Sequence, residues 1–454
     1  AIFSVVENVL LRPLAYPNED RLVRVAATVY ESTGARGDRG NTFSDRGYWH
    51  FLNNNRSFEK FGGYNGGVTQ LPLTGDGSPR QVNRYGMTLP AFEVLGMSPE
   101  LGRLPTPEED APNGPLVVLL SHELWSSQYG ADPAILGRIL TLDGTPREVI
   151  GVMPAGFDFP SPDAELWTTL RLNPASENFG GHYIMAIARL APGVTMDAAA
   201  ADARSLVARF TEIGYGPAWF EGVSAGGAVV RPFRDYVVGS AREPLLIVLG
   251  IVGFVLLIAC SNIANLLLVR AESRRQENAV RMALGASRGR LARHMLIESA
   301  ILALLGGVVG VLLAYAGTSA LVAIGPTNIP RLGEIGIDGA SFAFTAVVAT
   351  LAGMLFGVLP ALAAGSSKAI GALRDGGRNA TLGRAPQRTR NTLVVTQVAL
   401  AFALVIGSGL MVRSFDALRS VDPGFLADGV LTFNVRPLPT KYTGPEALAR
   451  FYDS

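Results

Sequence analysis

Cysteine is all but missing from this 454-residue chain. Its one thiol, Cys260, allows no disulfide within the chain and no cysteine-based metal cage. Histidine is almost as scarce: His50, His122, His182 and His294 are scattered without HExxH or other ligand spacing, and read as surface or satisfied core residues. No GxxxxGK[ST] occurs, so the 454 residues hold no P-loop. There is no His-centred constellation and no pair of carboxylates at a catalytic spacing. A membrane-anchored enzyme is therefore disfavoured. The acid run Glu108-Glu109-Asp110 reads as a solvated loop face rather than a metal site. Gly62-Gly63, Gly66-Gly67 and Gly226-Gly227 read as turns, since none is followed by the partner residues of a phosphate cradle.

Charged residues make up only 17% of the chain against 48% hydrophobic. The apolar share is concentrated in four runs: Pro244–Val269, Met295–Ile324, Phe342–Ala364 and Leu393–Val412. At about 1.5 Å per helical residue, each is long enough to cross a hydrocarbon core of roughly 30 Å. An integral membrane protein is expected. The opening residues 1–11 read as the outer end of a further span, and the chain as a stretch of a longer protein cut at both ends.

The net charge of +1 hides an asymmetry. Arg12 to Glu243 hold 20 Lys+Arg against 26 Asp+Glu. Arg270 to His294 hold seven Arg against two Glu, and Gly365 to Asn391 six Lys+Arg against one Asp. Basic excess in short loops beside spans marks the cytoplasmic side, and that position argues against nucleic acid as the partner. The spans 244–269, 295–324, 342–364 and 393–412 then alternate in direction. They leave 12–243 and 413–454 outside, with 365–392 as a cytoplasmic linker.

Residues 12–243 read as an extracytoplasmic α+β domain. Ser44 caps a helix over Phe43–Asn55 with Tyr48, Phe51 and Leu52 at helical spacing. Leu116–Leu120 is a buried strand, and Ser121 caps the helix after it. Asp132-Pro133 opens another helix. Arg138–Leu142 and Pro146–Met153 form a hairpin about Asp143-Gly144. Ala186–Leu190 is a strand, and Thr195 caps a helix over Met196–Phe210.

Small and polar residues mark the spans. Gly306 and Gly310, and Gly353 and Gly357, form GxxxG pairs suited to close helix packing. Asn262 and Asn265 lie three apart in an apolar run, where an amide is costly unless it bonds to a neighbouring helix. The opening AIFSVVENVLLRPLAYPNEDRLVRV is echoed by FALVIGSGLMVRSFDALRSVDPGF (Phe402–Phe425), which suggests the start of a second, repeated half.

Three stretches together resemble the MacB/FtsX class of ABC transporter permeases. LLIACSNIANLLLVRAESRRQENAVRMALGASRGRLARHMLIESAILALLGGVVGVLLA (Leu256–Ala314) is similar to the core permease segment. VVLLSHELWSSQYGADPAILGRILTLDGTPREVIGVMPAGFDFP (Val117–Pro160) is similar to the periplasmic core domain. RNTLVVTQVALAFALVIGSGLMVRSFDALRSVDPGF (Arg390–Phe425) looks like the second half of the acidobacterial duplicated orphan permeases. The resemblance implies a membrane α-helical permease with a large extracytoplasmic α+β domain, in the bacterial inner membrane. A complete member would have eight spans and two outer domains. It implies no cofactor in this chain, with ATP bound by a separate ABC ATP-binding subunit. The implied docking element is the loop helix Glu272–Ala286. There Arg274, Arg275, Glu277 and Arg281 offer ion pairs, Val280, Met282 and Leu284 an apolar face, and Gly285 the helix stop. The other expected partners are membrane lipids, a second permease half and a periplasmic adaptor. The competing function is a non-transporting, FtsX-like regulator or sensor that acts on an external partner.

Overall fold

The computed structural model describes residues 2–27, 42–75, 79–177, 181–216, 227–273, 280, 284, 288–324, 339, 342–348, 350, 384–421, 430–431 and 445–452. The chain divides into two compact units: residues 13–240 with 433–454, and residues 1–12 with 241–432.

The first unit is built on an eleven-stranded sheet. Its strands are β1 (Leu22–Ala27), β2 (Phe58–Asn65), β3 (Thr69–Thr74), β4 (Arg80–Met87), β5 (Leu101–Gly102), β6 (Val117–Leu120), β7 (Ile139–Leu142), β8 (Thr145–Val152), β9 (Leu166–Thr169), β10 (Ile184–Leu190) and β11 (Ala228–Pro232). Six of them close on themselves in the order β4–β3–β7–β8–β6–β9–β4. Of the other strands, β5 pairs with β8, and the run β11–β1–β10–β2 leaves this ring through a single pair, Tyr64 opposite Met87. That joint is reinforced by Thr88, whose N–H donates to the Gly63 carbonyl (2.8 Å) and whose hydroxyl accepts from the Gly63 N–H (3.0 Å).

Local sequence explains much of this. Ser44, Ser121 and Thr195 each accept a backbone N–H from the first turn of the helices Asp45–Asn54, His122–Tyr129 and Met196–Ala208, which satisfies donors that a helix start leaves open. The β7–β8 hairpin turns on Asp143 (φ 51°) and Gly144 (φ 72°), the paired positive φ of a two-residue turn whose twist matches the strands. An apolar cluster fills each region. Phe43, Tyr48, Phe51, Phe61 and Phe210 lie between the open sheet and its helices. Leu73, Val82, Val149 and Leu166 fill the ring. Burial of one such side chain contributes about 1.5–3 kcal/mol.

Three expectations are corrected here. Asp132-Pro133 does not open an α-helix but one 3-10 turn, Pro133–Ile135, capped by the Asp132 side chain. Leu136 is already extended, and the Gly137 N–H donates to the Val149 carbonyl, so sheet pairing takes the chain away from the helix. Gly62-Gly63 is not a turn but lies inside β2. A Cβ on Gly62 would stand 2.2 Å from the backbone nitrogen of Ala91, so glycine lets the helix Leu89–Leu95 lie directly on the strand. Glu108-Glu109-Asp110 is not a solvated loop face. It forms the short helix Pro107–Asp110, with a reciprocal capping box between Thr106 and Glu109. Glu109 is buried, and Asp110 accepts the backbone N–H groups of Leu89 and Arg171.

The second unit is mainly helical in its described residues. Ile2–Val6 continues as a π-helical turn, Glu7–Leu11. The Phe3 ring stacks on Phe344 at 3.8 Å. The long helices are Phe233–Ser273, Arg288–Ile324 and Arg384–Arg419; the first starts within the α+β unit. Among the described residues, two segments are long and apolar enough to cross a membrane, Arg242–Ile263 and Asn391–Arg419, and Leu304–Ala320 is a shorter apolar stretch. Of the run Phe342–Ala364, only 342–348 and 350 lie among the described residues.

Candidate functional site

The basic loop joins the helices Phe233–Ser273 and Arg288–Ile324. Between them Val280 and Leu284 are described, and the Leu284 N–H donates to the Val280 carbonyl at 3.0 Å, one α-helical turn. Both side chains are open to the surroundings, at 51% and 84% exposure. Two apolar residues held out four positions apart form a stripe on one helix face, and an uncovered Leu at that level suits a protein contact better than water. Arg274, Arg275, Glu277, Arg281, Met282 and Gly285 lie outside the described residues. Past the loop, Arg290 and Arg293 are exposed near the start of the second helix. Cations at a helix N-terminus oppose the macrodipole by about 0.3–1 kcal/mol each, so this end gains from an anionic neighbour.

Deeper along the helices lies a polar seam. Gln397, on Arg384–Arg419, donates its amide N–H to Asn262 Oδ1 (2.6 Å) and to the Ile258 carbonyl (3.5 Å) on Phe233–Ser273. Ser261, buried at the same level, donates to the Leu393 carbonyl at 3.4 Å. Asn262 therefore bonds to a neighbouring helix. Asn265 Oδ1 is buried without a hydrogen-bond partner among the described residues. Sequence reasoning missed Gln397. Its signal was available, for an amide inside an apolar run needs a partner, and Asn262 carries a matching one.

The glycine pairs fare differently. Gly353 and Gly357 lie outside the described residues. A Cβ on Gly306 or Gly310 would meet no described atom within 4 Å, so that GxxxG pair makes no close helix approach among the described residues. The more covered face of this helix carries Gly307, Val311, Ala314 and Thr318. It is one residue, about 100° of helical rotation, away from the predicted face. Thr318, its most buried member, returns its hydroxyl to the Ala314 and Tyr315 carbonyls, both at 3.0 Å.

Comparison with known proteins matches residues 1–206 to the MacB-like periplasmic core domain and residues 249–369 to the FtsX-like permease C-terminal family. The uncharacterized ABC transporter permease YknZ of Bacillus subtilis is 29% identical over 243 residues, 53% of this chain and 57% of that protein. The macrolide export ATP-binding/permease protein MacB of Hahella chejuensis is 26% identical over 277 residues, 60% of this chain and 39% of that protein. The pyoverdine export ATP-binding/permease protein PvdT of Pseudomonas entomophila is 25% identical over 264 residues, 56% of this chain and 37% of that protein. The chain thus spans about two-fifths to somewhat over half the length of these relatives. Among solved structures, the periplasmic region of MacB from Actinobacillus actinomycetemcomitans aligns with 53% of this chain and 97% of that one, at 14% identity and a TM-score of 0.35. The names of MacB and PvdT join ATP-binding and permease in one protein, whereas YknZ is named as a permease alone. With a MacB-like periplasmic core match over residues 1–206 followed by an FtsX-like permease match over residues 249–369, the chain is similar in both parts to the MacB/FtsX-type ABC transporter permeases.

Proposed function

We propose that this chain is the membrane permease part of an ATP-driven ABC exporter or mechanotransmitter in the bacterial inner membrane. On this reading the long helices are spans, the α+β unit lies outside, and an ATP-binding partner docks on the basic loop. The observation that carries it is the arrangement along the chain. An outer-domain family match comes first, and a permease match follows that contains an Arg-rich loop between two long apolar helices.

Several features support the membrane reading. The two qualifying segments are apolar yet almost wholly uncovered, with 6% and 0% of their windows buried. Helices of that kind are neither the core of a soluble domain nor tolerable in water, and lipid covers them. The charge asymmetry puts Arg270–His294 on the cytoplasmic side, where Arg290 and Arg293 meet anionic headgroups or an acidic partner. The docking surface is assigned to Arg274, Arg275, Glu277, Val280, Arg281, Met282, Leu284 and Gly285. The echo at Phe402–Phe425 supports a second permease half beginning near residue 393. The helix Phe233–Ser273 is the element through which ATP-driven motion at the loop would reach the outer domain.

The test is affinity purification from native membranes with mass spectrometry of the captured proteins, for the unaltered protein and for Arg281→Glu combined with Gly285→Trp. Capture of an ABC ATP-binding protein by the first and its loss from the second is the expected result. Absence of such a protein from both, in a preparation whose own sequence carries no ATP-binding region, would overturn the reading in favour of a sensor or regulator.

A further inference from the structure

Inside the strand ring, side chains alternate with a period of two, so one face of each strand lines the interior. Val82 on β4, Val149 on β8 and Leu166 on β9 fill it. Two residues further along on β4 and β9, and two residues back on β8, the same face carries Arg84, Thr168 and Arg147. The apolar filling thus gives way to guanidinium groups at one end of the ring. At that end lies an open cavity of about 360 Å³, lined by Arg84, Arg147, Arg171, Thr169, Leu170, Pro112 and Asn113.

The three arginines are held differently. Arg84 Nε donates to Thr168 Oγ1 at 2.8 Å. Arg171 sits in a left-handed backbone conformation at φ 53°. Its N–H donates to Asp110 Oδ1 (3.2 Å) and its Nε to the Ala111 carbonyl (3.3 Å). Arg147 Nε is buried with no hydrogen-bond partner among the described residues. Burial and the nearby Arg171 cation both push the Arg147 pKa down. Asp110, the acid beside them, is occupied by two backbone N–H groups.

A half-buried guanidinium whose Nε has no partner among the described residues, beside a second cation, is destabilising unless an anion completes it. A planar carboxylate needs only one guanidinium fork. Donors converging from three separate segments suit a tetrahedral oxyanion with more than one negative charge. We propose that the Arg84–Arg147–Arg171 mouth of the strand ring is a binding site for a phosphoryl group, carried by free phosphate or by the head of a larger molecule. The site is independent of the docking loop and of ATP coupling.

The test uses the full chain in nanodiscs of zwitterionic lipid, with thermal unfolding followed by tryptophan fluorescence. Inorganic phosphate replaces chloride at constant ionic strength, so that general screening is held fixed. A ligand that binds only the folded state raises the midpoint. Phosphate is expected to raise it for the unaltered chain. Arg147→Gln should weaken the apparent affinity by roughly tenfold or more, as loss of one charge-assisted partner does, while its midpoint in chloride is equal or higher. Arg171→Asn, which tolerates the left-handed backbone, should also weaken binding and decides the matter if Arg147→Gln does not fold. Soluble dihexanoyl phosphatidic acid separates the sources: tighter binding than inorganic phosphate marks a headgroup site, and equal binding a site for phosphate itself. No phosphate shift in the unaltered chain, or an equal shift in the variants, would overturn the proposal.

Discussion

Arg103 holds Glu109 through two parallel hydrogen bonds of 2.7 Å each, Nη1 to Oε2 and Nη2 to Oε1. The same carboxylate also accepts the Thr106 N–H at 2.7 Å. One side chain thus closes the capping box of its own helix and pins the segment that precedes it. The arginine, together with the backbone donor, holds the Glu109 carboxyl below the usual carboxylate range despite its burial.

Glu109→Gln is therefore expected to destabilise the outer unit by about 1–3 kcal/mol near neutral pH, the usual cost of breaking a charge-assisted buried bond. The sign of the pH dependence follows from the direction of the shift. A carboxyl with a depressed folded pKa contributes stability above its unfolded pKa, about 4.3, and loses it as pH falls through the folded value. The difference in thermal midpoint between the two proteins should thus be full at pH 7 and shrink below pH 4.

His50 offers a second pH probe. Its Nε2 lies 3.2 Å from the Leu206 carbonyl, which identifies that nitrogen as the N–H donor, and burial pushes its pKa down. The unfolded chain then binds a proton that the folded chain refuses, so stability falls as pH drops below about 6.5, the unfolded pKa. His50→Gln should flatten the dependence of the unfolding midpoint on pH between 7 and 5. An unchanged slope would mean that other groups carry it.

Gly62→Ala tests the packing of Leu89–Leu95 on β2. The added methyl meets backbone rather than a movable side chain, at 2.2 Å and 2.3 Å from Ala91 N and Cα. The expected cost is about 3 kcal/mol or more, at the upper end for overpacking. It would be read as a lowered denaturation midpoint, whereas Gly67→Ala, with nothing within 4 Å, should cost far less.

The Gln397–Asn262 bond invites a double-mutant cycle in detergent. Either residue changed to Leu leaves an amide without its partner, and the double change removes both. A coupling energy of about 0.6–2 kcal/mol is expected for an interhelical amide pair in an apolar setting. Strict additivity would show that the bond contributes nothing to helix association.

Leu284→Glu probes the proposed docking surface at a position with little packing to lose. At 84% exposure the residue contributes little packing, so stability should move by no more than about 0.5 kcal/mol. Capture of the ATP-binding partner should nevertheless fall sharply. Retained capture would remove Leu284 from the interface.

The parts of the fold legible in the sequence were those with a local cause. Ser44, Ser121 and Thr195 announce helix starts because the N–H groups they accept lie three residues away. Asp143-Gly144 announces a hairpin because that dipeptide adopts the required positive φ. Closure of the strand ring depends on β4 lying parallel to β9, Arg84 opposite Leu166. No short-range pattern encodes a pairing of such distant segments. Gly62-Gly63 was misread for the same reason: what excludes a side chain there is Ala91, brought onto the strand by tertiary packing. The GxxxG at Gly306 and Gly310 meets no described neighbour, because a four-residue spacing fixes the period of a stripe and not its partner. The arginine mouth was invisible, since its members only become neighbours when the ring closes.

Ring closure has a further consequence for association with other chains. Strands β3, β4, β6, β7, β8 and β9 each have neighbours on both sides, so the ring has no free edge strand. At the open end of the sheet, β11 pairs with β1 alone among the described strands. That outer strand is short, carries the exposed cation Arg231, and ends on Pro232, which has no N–H to donate. Each of these features discourages edge-to-edge pairing. The domain is thereby protected from the β-aggregation that an unguarded sheet of this size would invite.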